Sequence, residues 1–435
     1  MKLRKKYVVV GLLIVVIMCI AIGIVVCTKK KENVKKDNRK ISVNNKFIYE
    51  NSDEKNIDKL IDIIITKKIK SSKKGYNLSI SDDIESMVDN EFSKVMEEIE
   101  NIYKTADKGD ASNVTLSDDV IQKMIDKIKE KKYAVTSTEP YYNMENYKEI
   151  DEFLKSCTNK KKDITTLYRI QTDGSITREQ YIYDSENMYV LTAIGSWNEE
   201  YNYVVSYMSL DKVDEWKYTD NGWFCYKVCV PEPPEVTETV DGSCLIRVKP
   251  LDDKYIEYTK KYVLPISYQG NNLLRSNWNK NKMNEIDYTG IFEYFYKMKY
   301  KKKYNPDKYG EGIPKKLFES TINEYLNVSS KTLEKYGHFD KKSKKYRWMK
   351  LGYMNYVPKF FGTSFPEVIE IKENEDGIIT LKVNAVCEMM LCSDEAITHE
   401  LKIQTEKDDR FKYVENKVIN VCEEGIPEYQ YRISN

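Results

Sequence analysis

Residues suited to nucleophilic chemistry are scarce in this chain. It has two histidines, His338 and His399, and nine cysteines in 435 residues. Cys387 and Cys392 lie shortly before His399. A thiol–imidazole pair can therefore be drawn from these three site candidates, the ring taking the thiol proton and the thiolate attacking. No local spacing enforces that pair, because neighbouring strands bring such residues close without any catalytic purpose. Gly195-Ser196-Trp197 is not a Gly-x-Ser-x-Gly elbow. No P-loop and no Gly-x-Gly-x-x-Gly run occurs. Two histidines and no paired Cys-x-x-Cys units leave no zinc-ligand pattern. The 69 acidic residues supply carboxylates everywhere. A glycosidase needs two of them at a set separation across a cleft, which linear spacing does not reveal. The expectation is a chain with no catalytic, cofactor-binding or metal motif, and no cofactor.

Cys19 and Cys27 sit in an apolar N-terminal run. The others are Cys157, Cys225, Cys229, Cys244, Cys387, Cys392 and Cys422, an odd number, so at least one stays unpaired in a monomer. The turn over 231–241, with Pro231, Pro233 and Pro234, joins a strand ending near Val230 to one starting near Gly242. Opposed residues of such a hairpin have numbers summing to about 472, which sets Cys229 and Cys244 opposite or one place off. A Cys229–Cys244 bridge and a group of small, reduced, buried thiols are the two alternatives. The bridge would contribute roughly 3 kcal/mol by loop closure.

The element that decides which compartment holds these groups is Tyr7 to Cys27, an uncharged and almost wholly apolar run. As a helix it spans roughly 31 Å, the thickness of a bilayer's hydrocarbon core. Lys2, Arg4, Lys5 and Lys6 precede it and favour an N-terminus inside. Lys29, Lys30, Lys31, Lys35, Lys36, Arg39 and Lys40 follow it and argue the other way, but the charge rule weakens for long translocated regions. The expectation is an uncleaved, single-pass anchor in the cell membrane with the remaining chain outside. Ala21-Ile22-Gly23 as a cleavage site and Ile24-Val25-Val26-Cys27 as a lipid-modification site are the competing readings. Formal net charge is +1, with 70 basic against 69 acidic residues, which gives no reason to expect a nucleic-acid partner. The basic flank grips anionic lipid headgroups most simply.

Periodicity sets the organisation. Residues 1–6 read as a cytoplasmic tail, 7–27 as the transmembrane anchor and 28–47 as a stalk. Residues 48–131 form a helical region. Within it Ile84, Val88, Phe92, Val95, Met96, Ile99 and Tyr103 make one stripe after a capping-box-like Asp82 and Glu85. Ser117 caps a further helix with the stripe Val120, Ile121, Met124, Ile125 and Ile128. Near Tyr133 the texture changes. Residues 132–285 read as a β-rich α+β domain with turns at Asp173-Gly174, Asn221-Gly222 and Asp241-Gly242. Residues 286–435 read as a C-terminal α+β domain. There Leu381, Val383, Ala385 and Cys387 alternate, and His399 continues the pattern on the next strand, facing a core. The basic, tyrosine-interleaved run Lys297 to Lys308 reads as a solvated loop or a polyanion patch. The fold class is α+β: a transmembrane helix, a helical segment, then antiparallel β-rich domains with a few helices.

Two strings are distinctive: Tyr262-Val263-Leu264-Pro265-Ile266-Ser267-Tyr268-Gln269-Gly270-Asn271-Asn272-Leu273 and Phe361-Gly362-Thr363-Ser364-Phe365-Pro366-Glu367-Val368. The tail adds Asn374-Glu375-Asp376-Gly377, Thr398-His399-Glu400-Leu401 and Phe411-Lys412-Tyr413-Val414. From about Tyr133 onward the chain resembles a domain-of-unknown-function family of anchored or lipid-modified extracytoplasmic proteins from Gram-positive anaerobes. That resemblance implies an outside location and supplies no activity. The function it leaves is a binding or structural module of the cell envelope, with membrane lipid and an envelope glycan or protein as partners. Trp197, Trp216, Trp223, Trp278 and Trp348 offer either a sugar-stacking face or ordinary sheet core. An envelope hydrolase using carboxylates or a Cys/His pair is the first alternative. The outer domain of a sensor acting through a partner is the second.

Overall fold

The computed structural model describes residues 54–109, 113–310, 312–350, 363–374, 376–422 and 425–433. The expected anchor, tail and stalk lie outside the described residues. Among those described, no helix is long and apolar enough to cross a membrane.

The first half is a seven-stranded sheet covered on both faces. Its helices are α1 (Glu54–Ile64), α2 (Asp82–Thr105), α3 (Asp118–Lys129) and α4 (Lys148–Thr158). Asp82, Asp83 and Glu85 fill the first turn of α2, where the helix dipole favours negative charge. The N-cap is Ser81, one residue before the expected Asp82 start, and its side chain makes no capping bond. Every apolar residue of the α2 stripe is buried, as are Ile121, Met124, Ile125 and Ile128 of α3. The strands are β1 (Ala134–Ser137), β2 (Asp163–Ile170), β3 (Ile176–Tyr183), β4 (Met188–Trp197), β5 (Tyr203–Tyr218), β6 (Trp223–Val228) and β7 (Ser243–Arg247), hydrogen-bonded in that order. β1 runs parallel to β2, and every later pair is antiparallel.

α1, α2 and α3 share one core with Ile170, Ile176, Ile182, Leu191, Ala193 and Leu210 of the sheet. The helical segment and the first sheet are therefore halves of one layered unit. A side chain at Gly195 would collide with the Phe92 ring, so glycine lets α2 lie close on β4. The opposite face holds α4 with Leu167, Tyr181, Val190, Val213, Phe224 and Ile246. β1 and β7 are six strand spacings apart, roughly 28 Å in a flat sheet. Yet Ala134 of β1 and Ile246 of β7 share one core cluster with α4. The sheet is thus curled around α4. The long β5 makes the bend, with a register shift between Val213 and Glu215.

The second half is built on β8 (Trp278–Asn279), β9 (Phe365–Glu373), β10 (Ile378–Cys387), β11 (Ser393–Thr405) and β12 (Phe411–Val421), ordered β9-β10-β11-β12-β8. Helices α5 (Asp253–Tyr258), α6 (Tyr288–Tyr300), α7 (Lys315–Tyr325) and α8 (Ser330–Tyr336) accompany it. Tyr262, Leu273 and Trp278 belong to this second core, so the material before residue 286 already packs with the C-terminal sheet. The basic run after α6 is ordered by its tyrosines: Tyr304 meets Phe292 edge-on at 5.2 Å and stacks on Tyr309 at 6.0 Å. Trp223, Cys225 and Leu245 meet Val386, Cys392 and Phe365 where the halves join.

Candidate functional site

His399 lies on β11 opposite Val383 and is fully buried. One ring nitrogen, Nδ1, is 2.7 Å from Asn416 Oδ1, and Nε2 is 2.9 Å from the Tyr268 hydroxyl. A neutral ring with its proton on Nδ1 satisfies both contacts. Burial lowers its pKa to about 4, so the imidazole is uncharged at neutral pH. Asn416 is itself tied by its amide to the carbonyls of Leu274 and Ser276 at 3.3 and 2.8 Å.

Cys387 pairs in the ladder with Ser393, four residues along β10 from the partner of His399 and so about 13 Å away. Its thiol reaches the Met389 carbonyl at 3.5 Å. Cys392 takes a left-handed backbone with φ of 44° and lies against the first half. The register sets Cys387 apart from His399 along the strands, although alternation puts both on one face. His338 is half-buried, and burial lowers its pKa.

The β6–β7 register pairs Cys244 with Tyr226, and Val228 bonds Gly242, so opposed numbers sum to 470. Cys229 and Cys244 are both free thiols, offset along the ladder, because the strands pair two positions short of the expected register. Cys229 packs instead beside Gly75. The thiol contact that does form joins the two halves. Cys225 donates to Cys392 Sγ, and Cys392 donates to the Tyr226 and Cys244 carbonyls at 3.4 Å each. That bond raises the pKa of Cys225 and lowers that of Cys392.

A cleft of about 340 Å³ lies at the same junction, in the size range of small-molecule sites. Its floor is the sheet, through Arg169 of β2, Trp223 of β6 and Arg247 of β7. One wall is the end of β1, with Ser137, and the loop after it, with Tyr141. The other is Phe365 and Glu367 of β9, with Glu388 just beyond β10. The wall loop is preformed. Asn143 brackets Leu251, its amide donating to the carbonyl at 3.0 Å and its oxygen accepting from the N–H at 2.8 Å. The Tyr141 hydroxyl donates to the Pro366 carbonyl at 2.6 Å, joining the walls.

Two ion pairs hold the floor. Arg169 Nη2 donates to Glu179 Oε1 at 2.7 Å, and Tyr181 braces the other Glu179 oxygen at 2.9 Å. Burial is the largest influence on the Arg169 charge and works against it, but Glu179 together with Tyr226, Tyr181 and Cys244 raises the pKa. Arg247 Nη1 donates to Glu367 Oε1 at 2.7 Å while its guanidinium lies 5.5 Å from the Trp223 ring. Trp223 Nε1 donates to Oε1 and Oε2 of Glu367 at 3.3 and 3.1 Å. Burial pushes the Glu367 carboxyl up to about 7 despite these donors. Glu388 accepts from the Leu245 N–H at 3.3 Å, and burial raises its pKa too. Among the described residues each of the two arginines makes one hydrogen bond, and the Nε of both is buried without a partner.

The sequence does carry a signal for these arginines. Lysine dominates its 70 basic residues, and arginine occurs nine times. Arg169 and Arg247 are each set inside apolar strand runs, Leu-Tyr-Arg-Ile and Leu-Ile-Arg-Val. A planar, always-charged fork in such a run marks a buried recognition or pairing site.

Neither the curated proteins nor the solved structures contain a match to the chain. A family model does match, over residues 85–432, taking in α3 and all but the first residues of α2 as well as every residue of the cleft. The chain therefore belongs to DUF6070, a family of unknown function.

Proposed function

We propose that this protein is a binding module of the cell envelope, held at the outer membrane face by its N-terminal apolar run, and that the cleft between its two halves is its ligand site. The observation that carries the reading is the cleft itself: preformed walls, an aromatic lining and two guanidinium groups held in place by carboxylates. A pocket of small-molecule size with an apolar lining and a few fixed polar groups is the usual form of a ligand site. The hydrolase reading rests on less. Trp223 and Arg247 hold Glu367, which makes it a clamp, and Glu388 is then the one raised carboxyl with an oxygen left for proton transfer. A fragment screen by ligand-observed NMR tests the binding reading, comparing wild type with Thr138→Trp, which adds bulk at the exposed rim. Fragments that bind wild type and are lost on Thr138→Trp support it. Fragments that bind both equally, or none at all, overturn it. Protease added to intact cells checks the location, with degradation of residues 48–435 as the expected result.

A further inference from the structure

We infer that Cys225 and Cys392 form a redox latch between the two halves, one thiol from each, which an organic disulfide closes into a covalent bridge. The latch is independent of what the cleft binds.

The turn between β10 and β11 is where the second half leans on the first. Its contacts are repeated hydrogen bonds. The Leu245 N–H donates to Glu388 at 3.3 Å, and the Met390 N–H donates to Asp241 at 2.9 Å. Asp394 accepts from Thr219 and Asn221 at 2.8 and 3.0 Å. Cys392 lies among these bonds, its thiol donating to the carbonyls of Tyr226 and Cys244. Those two residues oppose each other in the β6–β7 ladder, so the Cys392 sulfur sits over that rung. Its left-handed backbone is one that a residue other than glycine keeps only where its surroundings fix it.

Alternation selects the partner. Side chains along β6 point to opposite faces in turn, so Tyr226 faces α4 and Cys225 faces the second half. Cys244 opposes Tyr226 and packs with it on the α4 face. Cys387 belongs to the core of the second half. Cys225 shares a buried cluster with Cys392, and its thiol donates to the Cys392 sulfur.

The same contact orders the reaction. The bond from Cys225 favours the Cys392 thiolate and holds the proton on Cys225, so Cys392 is the attacking sulfur. The turn is at the surface, with Met390 60% exposed, so opening a few residues admits the oxidant. The Cys392 thiolate attacks oxidised glutathione, forming a mixed disulfide and releasing one glutathione thiolate. Cys225 then passes its proton to that thiolate and displaces the second glutathione. Two protein thiols are oxidised to one disulfide, and the oxidant is reduced to two thiols.

The test treats the folded, reduced, full-length protein with oxidised glutathione and maps the unreduced digest by mass. The expected product is a Cys225–Cys392 peptide lighter by two hydrogens than its two parts. Cys225→Ser should stop at glutathione carried on Cys392, and Cys392→Ser should leave Cys225 a free thiol. Oxidised wild type should unfold at higher urea than reduced wild type, since the bridge restricts the unfolded chain. Cys225→Ser should show no such rise, and Cys225→Ala serves where the serine hydroxyl unsettles the core. Free thiols or separate glutathione adducts at both positions in wild type would overturn the inference, as would a bridge from Cys392 to another cysteine. A Cys225–Cys392 bridge that leaves the urea midpoint unmoved or lowers it would also overturn the latch.

Discussion

Two buried polar clusters in this molecule use similar residues to opposite ends. Around His399 the ring, Tyr268, Asn416 and two backbone carbonyls are hydrogen-bonded to one another in the core. In the cleft, Arg169 and Arg247 are equally fixed, by Glu179 and Glu367, but line a cavity. A buried hydrogen-bonded network contributes rigidity and a single packing arrangement. A charged cluster beside a cavity leaves room for a ligand. The contrast teaches that burial and a displaced pKa do not mark a functional residue by themselves. His399 has both and is bonded within the core, whereas the cleft is distinguished by a cavity beside its fixed charges.

The sharpest way to break the contrast is to remove Arg247. Arg247→Ala leaves the buried Glu367 carboxylate without its cation and should cost about 3–5 kcal/mol in urea unfolding near neutral pH. Replacing both partners, Arg247→Met with Glu367→Leu, should return most of that loss. A single-substitution cost under about 1 kcal/mol would mean the pair is solvated and the cleft is not the enclosed site described. His399→Leu comes next. It strands the Tyr268 hydroxyl and the Asn416 oxygen in the core, at about 2–4 kcal/mol.

Their pH dependences should run in opposite senses. His399 has a folded pKa of about 4, below its ordinary 6.5, so the folded state binds fewer protons across that window. Its contribution is present above pH 6.5 and is lost as pH falls towards 4. Glu367 has a folded pKa of about 7, above its ordinary 4.5. Its contribution is present below pH 4.5 and is lost as pH rises through 7. Each effect is on the order of 3 kcal/mol, so the two largely cancel between pH 4.5 and 6.5. Stability of His399→Leu should therefore fall as pH rises through that range. Stability of the Arg247→Met, Glu367→Leu protein should rise. Parallel slopes in the two proteins would refute the assignment of these shifts.

Smaller effects refine the picture. Arg169→Lys should change stability by about 1 kcal/mol or less, since a cation still faces Glu179. Thiol mapping after treatment with oxidised glutathione, which is itself reduced to two thiols, should find Cys225 joined to Cys392. A Cys229–Cys244 peptide instead would show that the β6–β7 register slips in solution.

What the sequence discloses follows the range of the forces involved. The stripes of α2 and α3 come from side chains three and four apart on one helix, and all the α2 residues and the four named in α3 are buried. Asp173-Gly174, Asn221-Gly222 and Asp376-Gly377 each supply the positive φ that turns β2 into β3, β5 into β6 and β9 into β10. The alternation through Leu381, Val383 and Ala385 places His399 correctly on a buried face. Its partners were out of reach of that reasoning, because Tyr268 is 131 residues away in the chain. The cleft is further still from local pattern. It needs the bend of β5 to bring β6 and β7 round, and then the second sheet to close over them. Register was equally out of reach for the two cysteine alternatives, since a shift of two positions is enough to part Cys229 from Cys244.

The most direct measurement is NMR of the arginine guanidinium groups and the histidine rings during titration with a fragment that wild type binds and Thr138→Trp loses. The account predicts that the Arg169 and Arg247 guanidinium signals move together and saturate, while the His399 ring signals stay where they are. Unmoved arginine signals at saturating ligand, or movement at His399 in their place, would contradict it.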